Sequence, residues 1–394
     1  MRKCLEKTGF LDSRQVTARN RAESTAAEGC IASENRFSPC DNGVPRRAEV
    51  RVDRRTPEAA RGRVRLSDVA ELAGVTKSVA SRVLNDDPTL SARAETRRRV
   101  VAAAQRLGYR PHAGAVALSQ ARAKAVALLI PDLTNPVYSR VIRGAYRRAR
   151  QLGYVVLLAE DTPETEADEA FTDLVGSGRV DGLLIASARP GHRLLDTAEL
   201  ARVPHVFVNR AVDGSGRNVT VDVGSASAAA ARHLAELGHR RIGHVAGPVE
   251  TSSGRDREAA FLAATHELGL PEPAVARAEF SEAGGAEATR LLLREPGPLT
   301  ALYASTLPQA VGVLHALRER GRRVPDDVSV ITYDDLPFAE YQDPPLTTIA
   351  MPLQELGASA VDALLAQLAG EAPHDVVVPG EPEVVERGST GPPR

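Results

Sequence analysis

RLSDVAELAGVTKSVASRVLN, residues 65–85, places small and apolar residues at helical spacing on either side of one glycine. Leu66, Val69, Ala70 and Leu72 form the apolar face of a first helix. Gly74 follows, where a tight turn needs a residue free to take positive φ. Thr76 can then cap a second helix whose inner face is Val79, Ala80 and Val83. Ala70, Gly74 and Ala80 are small where the two helices must cross closely. The pattern reads as a helix-turn-helix, a motif that lays its second helix in the major groove with its N-terminal residues on base edges. Lys77, Ser78 and Arg82 project outward there; Arg and Lys read guanine, and Ser is permissive. The competing reading, a helical hairpin inside an ordinary core, is disfavoured by the basic surroundings.

Those surroundings extend into a third helix, expected from about residue 93 to 107 and ending at Gly108 before Tyr109. Its exposed residues include Arg97, Arg98, Arg99 and Arg106, placed for phosphate contact beside the reading helix. The 394-residue chain has a net charge of only −1, but the charge is unevenly spread. Residues 1–124 carry a balance of +11 and residues 125–394 one of −12. That asymmetry predicts an anion-binding N-terminal part beside an acidic body.

Other classes are excluded quickly. No run of 18 apolar residues exists to form a membrane span. The first residues, MRKCLEKTGFLDSRQ, have no apolar stretch behind their charges, so a secretory signal is not expected. Cys4, Cys30 and Cys40 are odd in number and confined to a polar segment, which argues against a disulfide framework and for a cytoplasmic protein. No CxxC pair suggests zinc. Residues 1–63 lack periodicity and read as a disordered extension; a later start codon is an alternative account of them.

From residue 125 the periodicity changes. AVALLIP (125–131), VVLLA (155–159), VDGLLIA (180–186), HVFVN (205–209), RIGHVAG (241–247), a short run near 276–280, ALYAS (301–305) and VSVITYD (328–334) are buried strand runs. Amphipathic stretches separate them, ending with a helix over 353–369. Short apolar runs alternating with helices mean parallel sheets covered on both faces. Two such sets predict an α/β architecture: an all-helical head followed by two doubly wound parallel-sheet lobes, with a ligand cleft at the strand carboxyl ends. No residue set there reads as catalytic. HExxH, GxSxG and GxxxxGK are all absent, and no metal or cofactor site is expected.

The ordered motifs DVAELAGV (68–75), SRVLN (81–85), TRRRV (96–100), LGYRP (107–111), LGHRRI (237–242), VPDDVSVITYDD (324–335), PPLTT (344–348) and RGST (387–390) resemble the LacI/GalR family of transcriptional repressors over about residues 64–390. After the extension (1–63), which has no counterpart in the family, the resemblance implies lobes of periplasmic-binding-protein type and three segments. These are a DNA-binding domain (64–112), a hinge helix and linker (113–124), and an effector-binding and dimerisation domain (125–394). It places Lys77, Ser78 and Arg82 at base-reading positions, with Thr76, Ser81 and Asn85 completing the DNA-binding set. Leu118 matches the leucine that wedges between base pairs at the operator centre in the minor groove. Ala113, Gly114 and Ala115 would let two hinge helices pack closely, and Gly114 weakens that helix in isolation.

For the lobes, the resemblance makes Arg255 and Asp334 polar effector contacts. Arg210, Asp132, Tyr138 and Thr306 are further candidates near strand ends, although Asp132 and Asn135 also suit turns. The expected effector is a sugar or sugar-like metabolite, and the expected assembly is a dimer on a pseudopalindromic operator. Three local departures stand out near the head: the loop DDPTLSARAET (86–96) is longer than the commonest form, Arg93 replaces the usual Ser cap so that Ser91 is the alternative, and His112 replaces the usual Asn. In the lobes, Thr306-Leu307 stands where many members have Asn-Asp. A periplasmic sugar-binding protein and an enzyme on a doubly wound fold are the competing classes. The absent secretory signal and the helix-turn-helix oppose the first; the lack of any nucleophile–base pair opposes the second.

Overall fold

The structure is a computed structural model that describes residues 64–85, 87, 89–110, 122–161, 174–189, 191–196 and 200–394. The expectations for residues 1–63, for the hinge stretch 113–121 and for Leu118 lie outside the described residues.

The head consists of α1 (Leu66–Ala73), α2 (Lys77–Leu84) and α3 (Ala94–Leu107). Val69, Ala80 and Val100, one from each helix, are fully buried, and Ala70, Ala73, Val83, Ala103 and Ala104 close around them. So many alanines leave little side-chain bulk between the helices, which can therefore cross closely. The buried stripe of α1 follows Leu66, Val69, Ala70 and Ala73, the spacing of one helix face. Leu72 was expected on it but is 40% exposed, because it lies one position off that stripe. Gly74 takes φ 65° and ends α1, as the turn requires. The third helix begins with Arg93 as its N-terminal flanking residue and no side-chain cap, so Ser91 does not take over that role.

Each lobe is built on a six-stranded sheet. The first runs in the order β11-β5-β4-β3-β1-β2, all parallel, from β1 (Ala125–Ile130), β2 (Val155–Glu160), β3 (Gly182–Ile185), β4 (His205–Val208), β5 (Asn218–Val221) and β11 (Val376–Val378). The second runs β12-β10-β9-β8-β6-β7, from β6 (Ile242–Ala246), β7 (Ala274–Arg277), β8 (Ala301–Ala304), β9 (Ser329–Tyr333), β10 (Thr347–Ala350) and β12 (Glu383–Val385). Only β12 is antiparallel to its neighbour. Central strands such as β1 are buried at every position, which explains their unbroken Val/Leu/Ile reading.

The helices are α4 (Tyr138–Gln151), α5 (Val223–Glu236), α6 (Ser252–Glu267), α7 (Glu282–Leu292), α8 (Leu307–Glu319) and α9 (Leu353–Leu368). Sequence order suggests that α9 completes the second lobe. Instead it returns to the first, where it packs on α4 and on β3, β4 and β5. Gly144 of α4 and Gly357 of α9 make this possible: a Cβ on either would collide with a backbone carbonyl of the other helix, Gln354 or Val141. The chain therefore changes lobes after β5, after β10 and after β11. These crossings bring the carboxyl ends of both central sheets to one cleft.

Candidate DNA-reading head and effector cleft

The outer face of α2 begins at Thr76, whose Oγ1 accepts a hydrogen bond from the Val79 amide at 3.3 Å. This cap satisfies an amide that the first helical turn leaves without an internal partner. Lys77 and Ser78 follow and are exposed. Ser81 and Asn85 are half-buried, with Asn85 Nδ2 donating to Ser81 Oγ at 3.4 Å. Arg82 is 40% exposed but not free: Nε donates to Asp87 Oδ2 at 2.7 Å and Nη2 to Thr89 Oγ1 at 2.8 Å. Replacing Thr76 with Ala should cost about 1 kcal/mol of local helix stability. Hydrogen exchange at the Val79 amide should accelerate about fivefold; unchanged protection would show that the cap carries no weight.

In the lobes, a cavity of about 530 Å³ opens between the strand ends. The first lobe supplies Asp132, Asn135, Asp161, Arg189 and Arg210, and the second supplies Glu250, Thr251, Glu279 and Phe280. Of the six effector residues expected from sequence, Asp132 and Arg210 line it. Asp132 Oδ1 also accepts from the Thr134 amide at 2.7 Å and hydroxyl at 2.6 Å, so it doubles as a turn residue. Tyr138 is 4% exposed and packs in the core behind β1. Thr306 caps α8, its Oγ1 accepting from the Gln309 amide at 3.4 Å, and Leu307 is fully buried among apolar neighbours. Arg255 is 44% exposed, its guanidinium donates to the carbonyls of Val249 and Glu250, and it is not among the lining residues.

Two positions further along α6, Arg257 points inward and is 4% exposed. Nη1 donates to the Ser305 carbonyl at 2.7 Å, and the guanidinium lies 3.8 Å from the Tyr333 ring centroid and 5.9 Å from that of Phe280. Asp334 is equally buried, and neither of its carboxylate oxygens has a hydrogen-bond partner. Burial pushes its carboxyl up to about 6, although the Arg257 charge pulls the other way. Asp334 also takes φ 77°, a conformation rare for a residue with a side chain and a mark of local strain. Its neighbour Asp335 is instead tied to Arg387 at 2.7 Å and Thr348 at 2.8 Å. The pair is thus one latched carboxylate and one unsatisfied carboxylate.

A third carboxylate, Asp161, is 2% exposed at the first-lobe wall. Burial alone would raise its value. Hydrogen bonds from His192, at 2.8 Å, and from the Ser187 hydroxyl outweigh burial and hold it below the ordinary carboxylate range. His244 stacks on Tyr303 at 4.8 Å, and burial, aided by the charges of Arg257 and Arg277, lowers it to about 3, so it stays neutral. His239 bridges Thr300 Oγ1 and the Gly391 carbonyl, a structural role in joining the C-terminal segment to the sheet. Among the described residues no group of three His, Cys, Asp or Glu side chains is placed to hold a metal, and no helix is long and apolar enough to cross a membrane.

Comparison with known proteins bears on both parts. The lacI family of bacterial regulatory proteins matches residues 65–112, and the periplasmic binding protein-like domain matches residues 231–390. A transcriptional regulator with a helix-turn-helix from the aml 5′ region of Streptomyces limosus, itself uncharacterised, is 35% identical across 83% of this chain and 94% of its own. The chain belongs to the lacI family. Members of this family are transcriptional regulators, not enzymes, and the three-helix head is its DNA-binding domain. The crystal structure of the lac repressor dimer bound to operator and the anti-inducer ONPF aligns with a TM-score of 0.73 and 29% identity, over 84% of this chain and all of that one. The complex of the regulator CelR with cellobiose aligns with a TM-score of 0.63 and 29% identity, over 83% of this chain and all of that one.

Sequence reading of this lacI-family chain missed Arg257, Asp161 and Arg189. A signal for the first was present. Arg257, Phe261 and Ala264 recur at the spacing of one helix face and are all buried, whereas Arg255 lies off that face. Asp161 and Arg189 sit on loops after β2 and β3, where no periodicity marks them.

Proposed function

We propose that this chain is a dimeric repressor that reads a pseudopalindromic operator and is released or tightened by a sugar-like metabolite in the inter-lobe cleft. The observation that carries this reading is the capped α2 with Lys77 and Ser78 exposed at its N-terminal end and Arg82 one turn on. In a major groove these three side chains reach base edges, while Thr76, Ser81, Asn85 and the arginines of α3 fix the position on the backbone. Residues 64–112 act as the reading domain, 113–124 as the hinge with Leu118 as its wedge, and 125–394 as the effector and dimer domain.

Dimerisation is supported by β2, the edge of the first sheet. Val155 is 59% exposed, Leu157 40% and Leu158 42%, an apolar edge that a lone soluble chain would leave open to other strands. A second copy covering it would bring two heads to two half-sites. Effector recognition is supported by Asp334, whose unpartnered oxygens are acceptors for ligand hydroxyls, with Arg257 taking the role that the family resemblance gives to Arg255. Binding shifts DNA affinity only by favouring one lobe arrangement over another.

The test starts from a duplex selected by the full chain from a random library. Arg82→Ala should weaken binding to it by about 1–3 kcal/mol, the range for one base-reading pair, in fluorescence anisotropy at fixed salt. Unchanged affinity would remove Arg82 from the reading surface. Repeating the selection with metabolite pools should identify fractions that alter binding, and a profile insensitive to every fraction would count against an effector.

A further inference from the structure

We infer that Asp87 and Thr89, in the loop between α2 and α3, are positioning residues that present Arg82 to a single guanine. This rests on Arg82 contacting a base, as proposed above.

The three side chains close a ring. Arg82 Nε donates to Asp87 Oδ2 at 2.7 Å, Thr89 Oγ1 donates to Asp87 Oδ1 at 2.7 Å, and Arg82 Nη2 donates to Thr89 Oγ1 at 2.8 Å. The donor directions are consistent. A threonine hydroxyl has one hydrogen, which goes to the carboxylate, so its lone pairs remain for the guanidinium. The backbone supports the same ring. The Asp87 amide donates to the Arg82 carbonyl at 2.9 Å, and the Thr89 amide donates to Asp87 Oδ1 at 2.8 Å. Hydrogen bonds from Arg82 and then Thr89 hold the Asp87 carboxyl down to about 2, so the ring is ionised throughout the neutral range.

What matters is which edge of the guanidinium is taken. Nε–H and one Nη2–H form its side, and the ring occupies that side. The other Nη2–H and one Nη1–H form the parallel fork at its end. A fork of that kind fits the O6 and N7 acceptors of guanine. An untethered arginine would have to lose its rotamer freedom on docking and could offer either edge. Here that freedom is already restricted, and only the end fork is left to face a base. An acidic side chain beside a DNA-reading arginine opposes phosphate binding, so Asp87 cannot serve to strengthen general affinity, and what it adds should appear as discrimination.

The probe is the duplex recovered by the wild-type chain from a random library, together with every single base-pair substitution of it, competed against full-length variants. Arg82→Ala should flatten the preference at one guanine. Asp87→Ala should reduce the preference at that same guanine about fivefold or more, leave other positions unchanged, and have no effect in the Arg82→Ala background. Thr89→Val, which keeps the side-chain shape, should give a smaller loss at the same position. If Arg82→Ala flattens the guanine but Asp87→Ala does not, or if Asp87→Ala and Thr89→Val weaken or tighten every duplex equally, the positioning role is overturned. If Arg82→Ala itself changes no position, the underlying reading of Arg82 fails instead.

Discussion

Arg257→Met should destabilise the protein by about 3 kcal/mol at pH 7.5. The replacement fills much of the same volume, so packing is nearly conserved. What disappears is a buried charge. The Ser305 carbonyl loses its charged donor at 2.7 Å, and the Tyr333 face loses a cation 3.8 Å from its centroid. Asp334 loses the one positive charge that draws its carboxyl down against burial. Without it the carboxyl rises further above 6, so the deficit should widen as the pH climbs past about 6 and narrow below it. Urea unfolding at several pH values would measure both effects. A loss below about 1 kcal/mol that does not vary with pH would show that Arg257 and Asp334 act independently.

Asp334→Asn should do the reverse and stabilise the ligand-free protein. The carboxyl has an ordinary value of 3.8 and is held at about 6 by burial. A carboxyl raised in the folded state favours folding at low pH, and that contribution is lost as the pH rises from 3.8 through 6. The gap corresponds to roughly 3 kcal/mol withheld from the ionised protein at neutral pH. Asparagine has nearly the same shape and never ionises. The variant should therefore gain up to about 3 kcal/mol at pH 7.5 and only about 0.5 kcal/mol at pH 4. Equal gains at both values would mean that the change is one of packing, not charge. A carboxylate kept in so costly a place, with φ 77° and no partner, fits a residue retained to bind something the protein meets later.

The reading head was legible because its determinants are local. The stripe of Leu66, Val69, Ala70 and Ala73, the turn at Gly74 and the cap at Thr76 lie within eleven residues of one another, and helical spacing relates them directly. Leu72 marks the limit of that spacing: it lies one position from the buried Ala73 and is 40% exposed. The buried strands were legible for a similar reason, since a strand covered on both faces must be apolar throughout. The short outer strands were not. β10, β11 and β12 have three or four residues each and owe their conformation to the neighbour they pair with, not to their own pattern.

The cleft was legible only in part. Asp132 and Arg210 follow strand ends, where an open parallel sheet exposes residues to ligand. Arg257 and Arg255 are two residues apart on one helix, and only the rotation of α6 against the second sheet decides which is buried. Thr306 resembles a ligand position by place in the chain, but it is turned into the cap of α8.

By itself the sequence determined that this chain carries a helix-turn-helix and two parallel-sheet lobes, because apolar periodicity and turn residues act over one or two helical turns. The tertiary structure decided three things that depend on which groups meet in space. It returned α9 to the first lobe through the close approach of Gly144 and Gly357. It left Asp334 without a partner beside Arg257, and it tied Arg82 to Asp87 and Thr89. Spacing along a chain reports which face a residue occupies; which charge meets which is settled only when the faces pack.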